Sequence, residues 1–297
     1  MLFAATLLPF VFGMSGAIYL AAAVLLVPFN WATETLKWHQ FVARLEHGFT
    51  FWRAYRAVLA GVAFSLFLPN RVGEYGGRIF FVRRRNQWKA IIANLVGNFS
   101  QMIFLLFSGS LGAAYLMQRF LRVEPLLVQA IVLGSVGTAV ALGFAYFNID
   151  ALVPLIRRVP YIHLLERFTK NLKVLREFSR RELAEILGWS IVRCFIYSGQ
   201  YLLLLYFFGI KTGLVGGFAG VFALFFIQMS VPLPPVTGLL ARGNVALHVW
   251  GFFGANEVSI LASTLGLWVL NLIFPSFLGA IFLLRSNITK SLGYDEN

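Results

Sequence analysis

The sequence predicts an all-α integral membrane protein, a polytopic helical bundle of about five full spans with two opposed re-entrant hairpins. Three observations lead there. Of the 297 residues, 59% are hydrophobic and 12% are charged, about half the charged share of a soluble domain, and mean hydropathy is +0.77. Five apolar runs reach the roughly 20 residues that a bilayer demands. The 25 basic residues, against 12 acidic ones, lie mostly between those runs, as the loops of membrane proteins do. That placement also makes nucleic acid a poor explanation of the +13 charge.

The five runs are 2–29, 90–117, 126–148, 183–208 and 256–285. The first lacks the basic leader of a signal peptide and exceeds its usual apolar length, so it reads as a retained span. Two further apolar regions, 53–82 and 213–250, are broken near their middles by proline and glycine. Their halves are short for a crossing at 1.5 Å per residue. Both place a proline four residues before a glycine, with an arginine following. These are Pro69, Gly73 and Arg78 in the first region, and Pro234, Gly238 and Arg242 in the second. Paired, Gly/Pro-interrupted segments in corresponding halves of a chain mark the binding region of many transporters. One domain is therefore expected over 1–297. Its first half, 1–148, carries the hairpin 53–82; a connector, 149–182, leads to a second half, 183–297, with the hairpin 213–250. In the connector, Ile162, Leu165, Phe168, Leu172 and Leu175 alternate with Arg and Lys. That pattern suits a basic amphipathic helix on an anionic leaflet, or equally a connector packed on the bundle.

Charge decides how the hairpins run. If each enters and leaves on one face and the N-terminus is outside, the cytoplasmic stretches are 30–56, 79–89, 149–182 and the C-terminal tail. They hold 18 basic residues, Lys37 among them, while the outer side keeps only Arg119, Arg122 and Lys211. Reading 53–68 as a full span puts basic residues on the wrong side. The two hairpins then enter from opposite faces, the geometry of an inverted repeat.

The strongest site signal is Pro69-Asn70-Arg71-Val72-Gly73-Glu74-Tyr75-Gly76-Gly77-Arg78. Backbone groups freed by proline and glycine are tolerated in a membrane only where protein or water meets them. Charges there are costly unless paired or hydrated. Two readings stand together. Arg71 or Arg78 holds an anionic head group while Glu74 orients an arginine or takes a proton; or a Glu–Arg pair merely locks the hairpin. Arg193 and Gln200 share a face of the fourth run, and Arg193 either faces a cavity or snorkels to the interface. Asn94, Asn98 and Gln101 form an i, i+4, i+7 stripe that more often serves as interhelical glue. Glu74 and Glu257 are the acidic residues expected near membrane depth. Cys194 is the single cysteine, so no disulfide forms within the chain. The four histidines have no metal-ligand spacing. No hydrolase, nucleotide-binding or metalloprotease motif occurs, and neither a cofactor nor a metal is expected.

The run LPNRVGEYGGRIFFVRRR resembles the first signature of the flippase-like family built on the transmembrane region of lysylphosphatidylglycerol synthase. Pro69, Arg71, Gly73 and Glu74 match it, and Arg78 falls one place late. PPVTGLLARGN is similar to the second signature through Pro234, Gly238 and Arg242, with Gly243 where a glutamate is usual. The resemblance spans nearly the whole chain in length and hydropathy. It implies membrane lipids as partners, with anionic or phosphate-bearing head groups, in a bacterial cytoplasmic membrane. The well-understood relatives move aminoacylated phosphatidylglycerol between leaflets and carry a cytosolic aminoacyltransferase domain. None is expected in this chain, which reads as a stand-alone member without enzymatic activity. The expected function is translocation of a lipid or lipid-linked head group, with Arg71, Glu74, Arg78, Arg193 and Arg242 at a polar midplane site. The alternatives are a non-transporting, lipid-binding or scaffolding subunit of envelope biosynthesis, and a membrane transferase with Glu74 as base.

Overall fold

Helices make up every regular element among the residues described in the computed structural model, which are 14–66, 72–151, 153–154, 170–229 and 238–285. In chain order they are α1 (Met14–Leu45), α2 (Phe51–Ser65), α3 (Val72–Ile79), α4 (Gln87–Leu116), α5 (Pro125–Phe147), α6 (Arg180–Phe207), α7 (Leu214–Met229), α8 (Gly238–Gly251), α9 (Glu257–Trp268) and α10 (Phe274–Leu284). Wider π-type turns, Met117–Leu121 and Val269–Ile273, extend α4 and join α9 to α10. Among the described residues, five stretches are long and apolar enough to cross a membrane: Gly16–Leu45, Arg84–Leu121, Pro125–Phe147, Arg180–Phe207 and Glu257–Leu284. The protein is thus an all-α, multi-pass membrane protein, with five long candidate spans as the sequence predicts.

The first span differs from expectation. Its apolar run stops at Phe29, but helix α1 continues through 32 residues to Leu45, about 48 Å. Residues 30–45, expected as a cytoplasmic stretch, therefore belong to the helix. The reason is packing: Trp31, Thr35, Trp38 and Val42 recur at helical spacing and are buried. Lys37, counted above among cytoplasmic cations, is instead buried inside the bundle.

The two short-helix pairs are hairpins that return to the face they leave. At the base of the first, the buried Glu46 carboxylate accepts the Arg83 backbone N–H at 2.5 Å and sits 3.5 Å from the Arg53 guanidinium. Asn86 donates to the Leu45 carbonyl at 3.0 Å. The start of α2 and the approach to α4 thus meet where α1 ends. Arg44 pairs there with Glu182, so α6 starts at the same end. At the other end, Tyr19 contacts Tyr206, and Phe120 stacks on Phe252 and meets Phe253 edge-on. A side chain at Gly216, just inside α7, would meet the Phe253 ring. Both ends of the α7/α8 pair therefore sit at the face opposite to the α2/α3 base, and the two hairpins are opposed.

Gly73 does not make the hairpin turn. It lies inside α3, where it and Gly77 pack directly on the backbone of α2 at Phe64 and Ala60. A methyl on the facing Gly61 would come within 2.7 Å of the Glu74 carbonyl oxygen. Small residues at i, i+4 allow this close approach between membrane helices. Gly238 likewise begins α8 rather than forming a turn. Pro69, Arg71 and Pro234, expected at the hairpin breaks, lie outside the described residues. In the connector, Leu172–Glu177 is a short 3-10 helix whose Leu172, Val174 and Leu175 are buried in the core. This part packs on the bundle; Ile162, Leu165 and Phe168 lie outside the described residues.

Candidate functional site

The middle of the bundle holds a buried ionic network centred on Glu34 of α1. One Glu34 oxygen, Oε1, accepts from Arg78 Nη2 of α3 at 2.9 Å. The other, Oε2, accepts from Arg193 Nη1 of α6 at 2.9 Å and lies 2.7 Å from Lys37 Nζ. Arg78 also donates to Glu74 at 3.3 Å and to Asn94 Oδ1 at 2.6 Å. Gln101 Oε1 accepts from Arg193 at 2.8 Å and from Lys37 at 3.4 Å. Two indoles close the network: Arg78 lies over Trp38, 5.6 Å from the ring centroid, and Arg193 over Trp31 at 5.2 Å. Arg78 is 1% exposed and Glu34 is 3% exposed.

Each element delivers its charge for a local reason. On α1, Asn30, Glu34 and Lys37 sit at i, i+4 and i+7 and so share one face. Glu74 and Arg78 occupy i, i+4 on α3, and the Gly73/Gly77 contact on α2 fixes which way that short helix faces. The α4 stripe supplies acceptors: Asn94 meets Arg78, Gln101 meets Arg193 and Lys37, and Asn98 donates to Tyr75 at 3.3 Å. All three side chains bond across to other helices, as interhelical glue does, and two of them do so at the charged site.

The network carries excess positive charge. Among the described residues, Lys37, Arg78 and Arg193 stand against Glu34 and Glu74, leaving a formal net +1. It also carries excess donors. Among the described residues, Trp31 Nε1, Arg78 Nε, Asn94 Nδ2 and Arg193 Nε are buried without an acceptor. An unmet buried donor costs about 1–3 kcal/mol, so this is a place suited to an added anion or acceptor. The gap beside Arg78, lined by Trp38, Tyr75 and Asn94, is too narrow for a water molecule. One turn beyond Glu34, Asn30 donates to Asn271 at 2.8 Å. Asn271 lies in the π-type turn between α9 and α10, a distortion common at functional positions.

Of the residues that the sequence singles out, the structure brings Glu74, Arg78 and Arg193 together. It adds Glu34, which the sequence reading missed because that reading ended the first span at Phe29. The available signal was the buried helical spacing of Trp31, Glu34, Thr35 and Trp38 in WATETLKW. Arg242 is elsewhere. It lines a cavity of about 30 Å³ with Tyr197, Tyr201, Gln228, Thr264 and Trp268. No member of the Glu34 network lines that cavity, although Tyr197 is only one turn along α6 from Arg193. Gln200 donates to the Ala23 carbonyl at 3.0 Å and ties α6 to α1. Glu257 is exposed in the first turn of α9, away from this charge. Among the described residues no group of His, Cys, Asp and Glu is arranged to hold a metal.

Neither the curated proteins nor the solved structures include a match to this chain. A family model, that of the lysylphosphatidylglycerol synthase TM region, matches residues 3–279. That match over almost the whole sequence means that the chain belongs to the lysylphosphatidylglycerol synthase TM-region family.

Proposed function

We propose that this protein moves a lipid or lipid-linked head group across the membrane, and that the head group is anionic or phosphate-bearing. One observation carries the reading: a buried, net-positive network with four unmet N–H donors, contributed by four separate helices, α1, α3, α4 and α6. Charge at membrane depth is expensive and, where kept, commonly serves a substrate or ion path. An anion reaching the guanidinium groups of Arg78 and Arg193 replaces Glu34 as their partner and frees α1 from α3 and α6. The role proposed is non-catalytic, with Arg78 and Arg193 as the head-group ligands and Glu34 as the internal competitor. Arg242, with its cavity one turn along α6, is proposed as a second contact on the same path; Arg71 is proposed at the tip of the first hairpin.

The membrane proposed is the bacterial cytoplasmic membrane, with the N-terminus outside and the C-terminus cytoplasmic. The base of the first hairpin, with Arg53, Arg83, Arg84 and Arg85, is then cytoplasmic, and the loop with Arg119 and Arg122 is outside.

A second reading has its own support. Glu34, Arg78 and Arg193 are buried, and among the described residues the gap beside Arg78 is too narrow even for water. That packing fits a fixed lock in a lipid-binding or scaffolding subunit. Lipid transfer in proteoliposomes separates the two. The chain is reconstituted with NBD-labelled phosphatidylglycerol or phosphatidylcholine, and movement between leaflets is followed by dithionite quenching. Faster transfer of the anionic lipid, lost in a folded Arg193→Met variant, supports transport. A folded variant that transfers at the parental rate refutes it.

A further inference from the structure

A separate surface at the base of the first hairpin makes a second claim, independent of the buried network. Arg83, Arg84 and Arg85 follow one another where the chain leaves the hairpin, and all three are exposed. The backbone beneath them is fixed. Glu46, 2% exposed, accepts the Arg83 N–H at 2.5 Å, and Asn86 bonds to the Leu45 carbonyl at 3.0 Å. Residues Arg84–Asn86 form a 3-10 turn, which spreads successive side chains about 120° apart. Arg53 and Arg56 stand one turn apart at the start of α2, on the other leg of the same base.

The charges there are not neutralised by the protein. Arg53 reaches Glu46 at 3.5 Å, and Lys89 lies 4.0 Å from Glu177. Among the described residues, the side chains of Arg56, Arg83, Arg84 and Arg85 make no ion pair. Three like charges held at one rigid turn, with a fourth on the other leg of the base, repel one another, and an external anion offsets that repulsion. Depth indicates which anion. Trp52, next to Arg53 in the first turn of α2 and in the aromatic group Phe51, Trp52 and Tyr55, is 65% exposed. An exposed tryptophan beside arginines at the start of an apolar helix marks the membrane–water interface. At that level the anions available are lipid phosphates rather than dissolved ones.

We infer that the base of the first hairpin, through Arg56, Arg83, Arg84 and Arg85, is a docking site for the head group of an anionic phospholipid. The surface faces the leaflet on the side where α1 ends. It works without any contribution from Arg78, Arg193 or Glu34.

The test uses the whole chain in a neutral detergent. Binding of short-chain phosphatidylglycerol is titrated against phosphatidylcholine and inorganic phosphate, with native mass spectrometry as the readout. A variant with Arg83→Gln, Arg84→Gln and Arg85→Gln is compared with a charge-matched variant, Lys173→Gln, Arg176→Gln and Arg180→Gln, changed elsewhere at the same end. A basic residue near an anionic surface contributes about 1 kcal/mol, or about fivefold in affinity. The first variant is expected to lose about 100-fold in phosphatidylglycerol binding, and the second to lose little. All the changed side chains are exposed, and thermal unfolding checks that both variants fold. Equal losses in the two variants mean general charge attraction and overturn the site. Parental binding by the first variant, or phosphate binding as tightly as the lipid, overturns it as well.

Discussion

Replacing Glu34 by Gln tests whether the centre of the bundle is held by charge. The substitution keeps size and one acceptor, but removes the anion that three cations share. Arg78 is left with Glu74 at 3.3 Å, while Arg193 and Lys37 are left with the neutral Gln101. The local charge rises from +1 to +2 in a region with almost no solvent. Breaking a buried ion pair by removing one partner costs about 3–5 kcal/mol, a large part of the 5–15 kcal/mol that folded proteins typically have. At about 2–4 °C per kcal/mol, unfolding followed by tryptophan fluorescence in detergent should fall by roughly 6–20 °C. Arg193→Met alone should cost a similar amount, since Glu34 then loses one of its two guanidinium partners. The double variant Glu34→Gln/Arg193→Met should recover part of the loss, with a coupling energy of about 1–3 kcal/mol. A Glu34→Gln protein that melts within 1 °C or so of the parent, or single losses that simply add, would show that the network holds nothing.

The remaining expectations concern packing and topology. Gly77→Val drives a side chain into the α2 backbone at Ala60, so it should prevent a stable hairpin, read as loss of monodisperse protein; Gly97→Ala, where a methyl meets nothing within 4 Å, should be neutral or stabilise by up to about 1 kcal/mol. Asn271→Leu strands the Asn30 amide and should cost about 1–3 kcal/mol in thermal unfolding; no loss would remove the Asn pair from the polar column. In a Cys194→Ala background, single cysteines at the exposed positions Arg84 and Gln118 should label from opposite sides of intact vesicles, and labelling from one side would overturn the proposed topology.

The sequence made most of the scaffold legible, and the reason is the bilayer. A spanning helix must be apolar over about 20 residues, so hydropathy located five candidate spans, and proline with glycine located both hairpins. It also found Arg78, Glu74 and Arg193, because a charge inside an apolar run stands out. It failed at Glu34 and Lys37 for the same reason. These two lie beyond the end of an apolar run, where charge is ordinary, and only tertiary packing of Trp31 and Trp38 carries the helix onward to bury them. The role of Gly73 was misread on similar grounds. A glycine near a proline suggests a turn, whereas its use here is set by the α2 backbone against it, a contact between elements that no local pattern encodes.

The location of Glu34 also explains how a charged centre coexists with tight packing. Each of its partners comes from a different segment: Arg78 from a short helix in the first hairpin, Arg193 from a long helix in the second half, and Lys37 from α1 itself. Were the pairs Glu74–Arg78 and Glu34–Lys37 the whole story, each would be a local lock within one helix. Arg193 changes that, because it has no acidic partner on α6 near it and must take Glu34 from across the bundle. The excess cation therefore joins the two halves, and its removal or neutralisation by an anion affects both at once. A leucine in its place would hold the same surfaces by shape alone and would give an incoming head group nothing to exchange with.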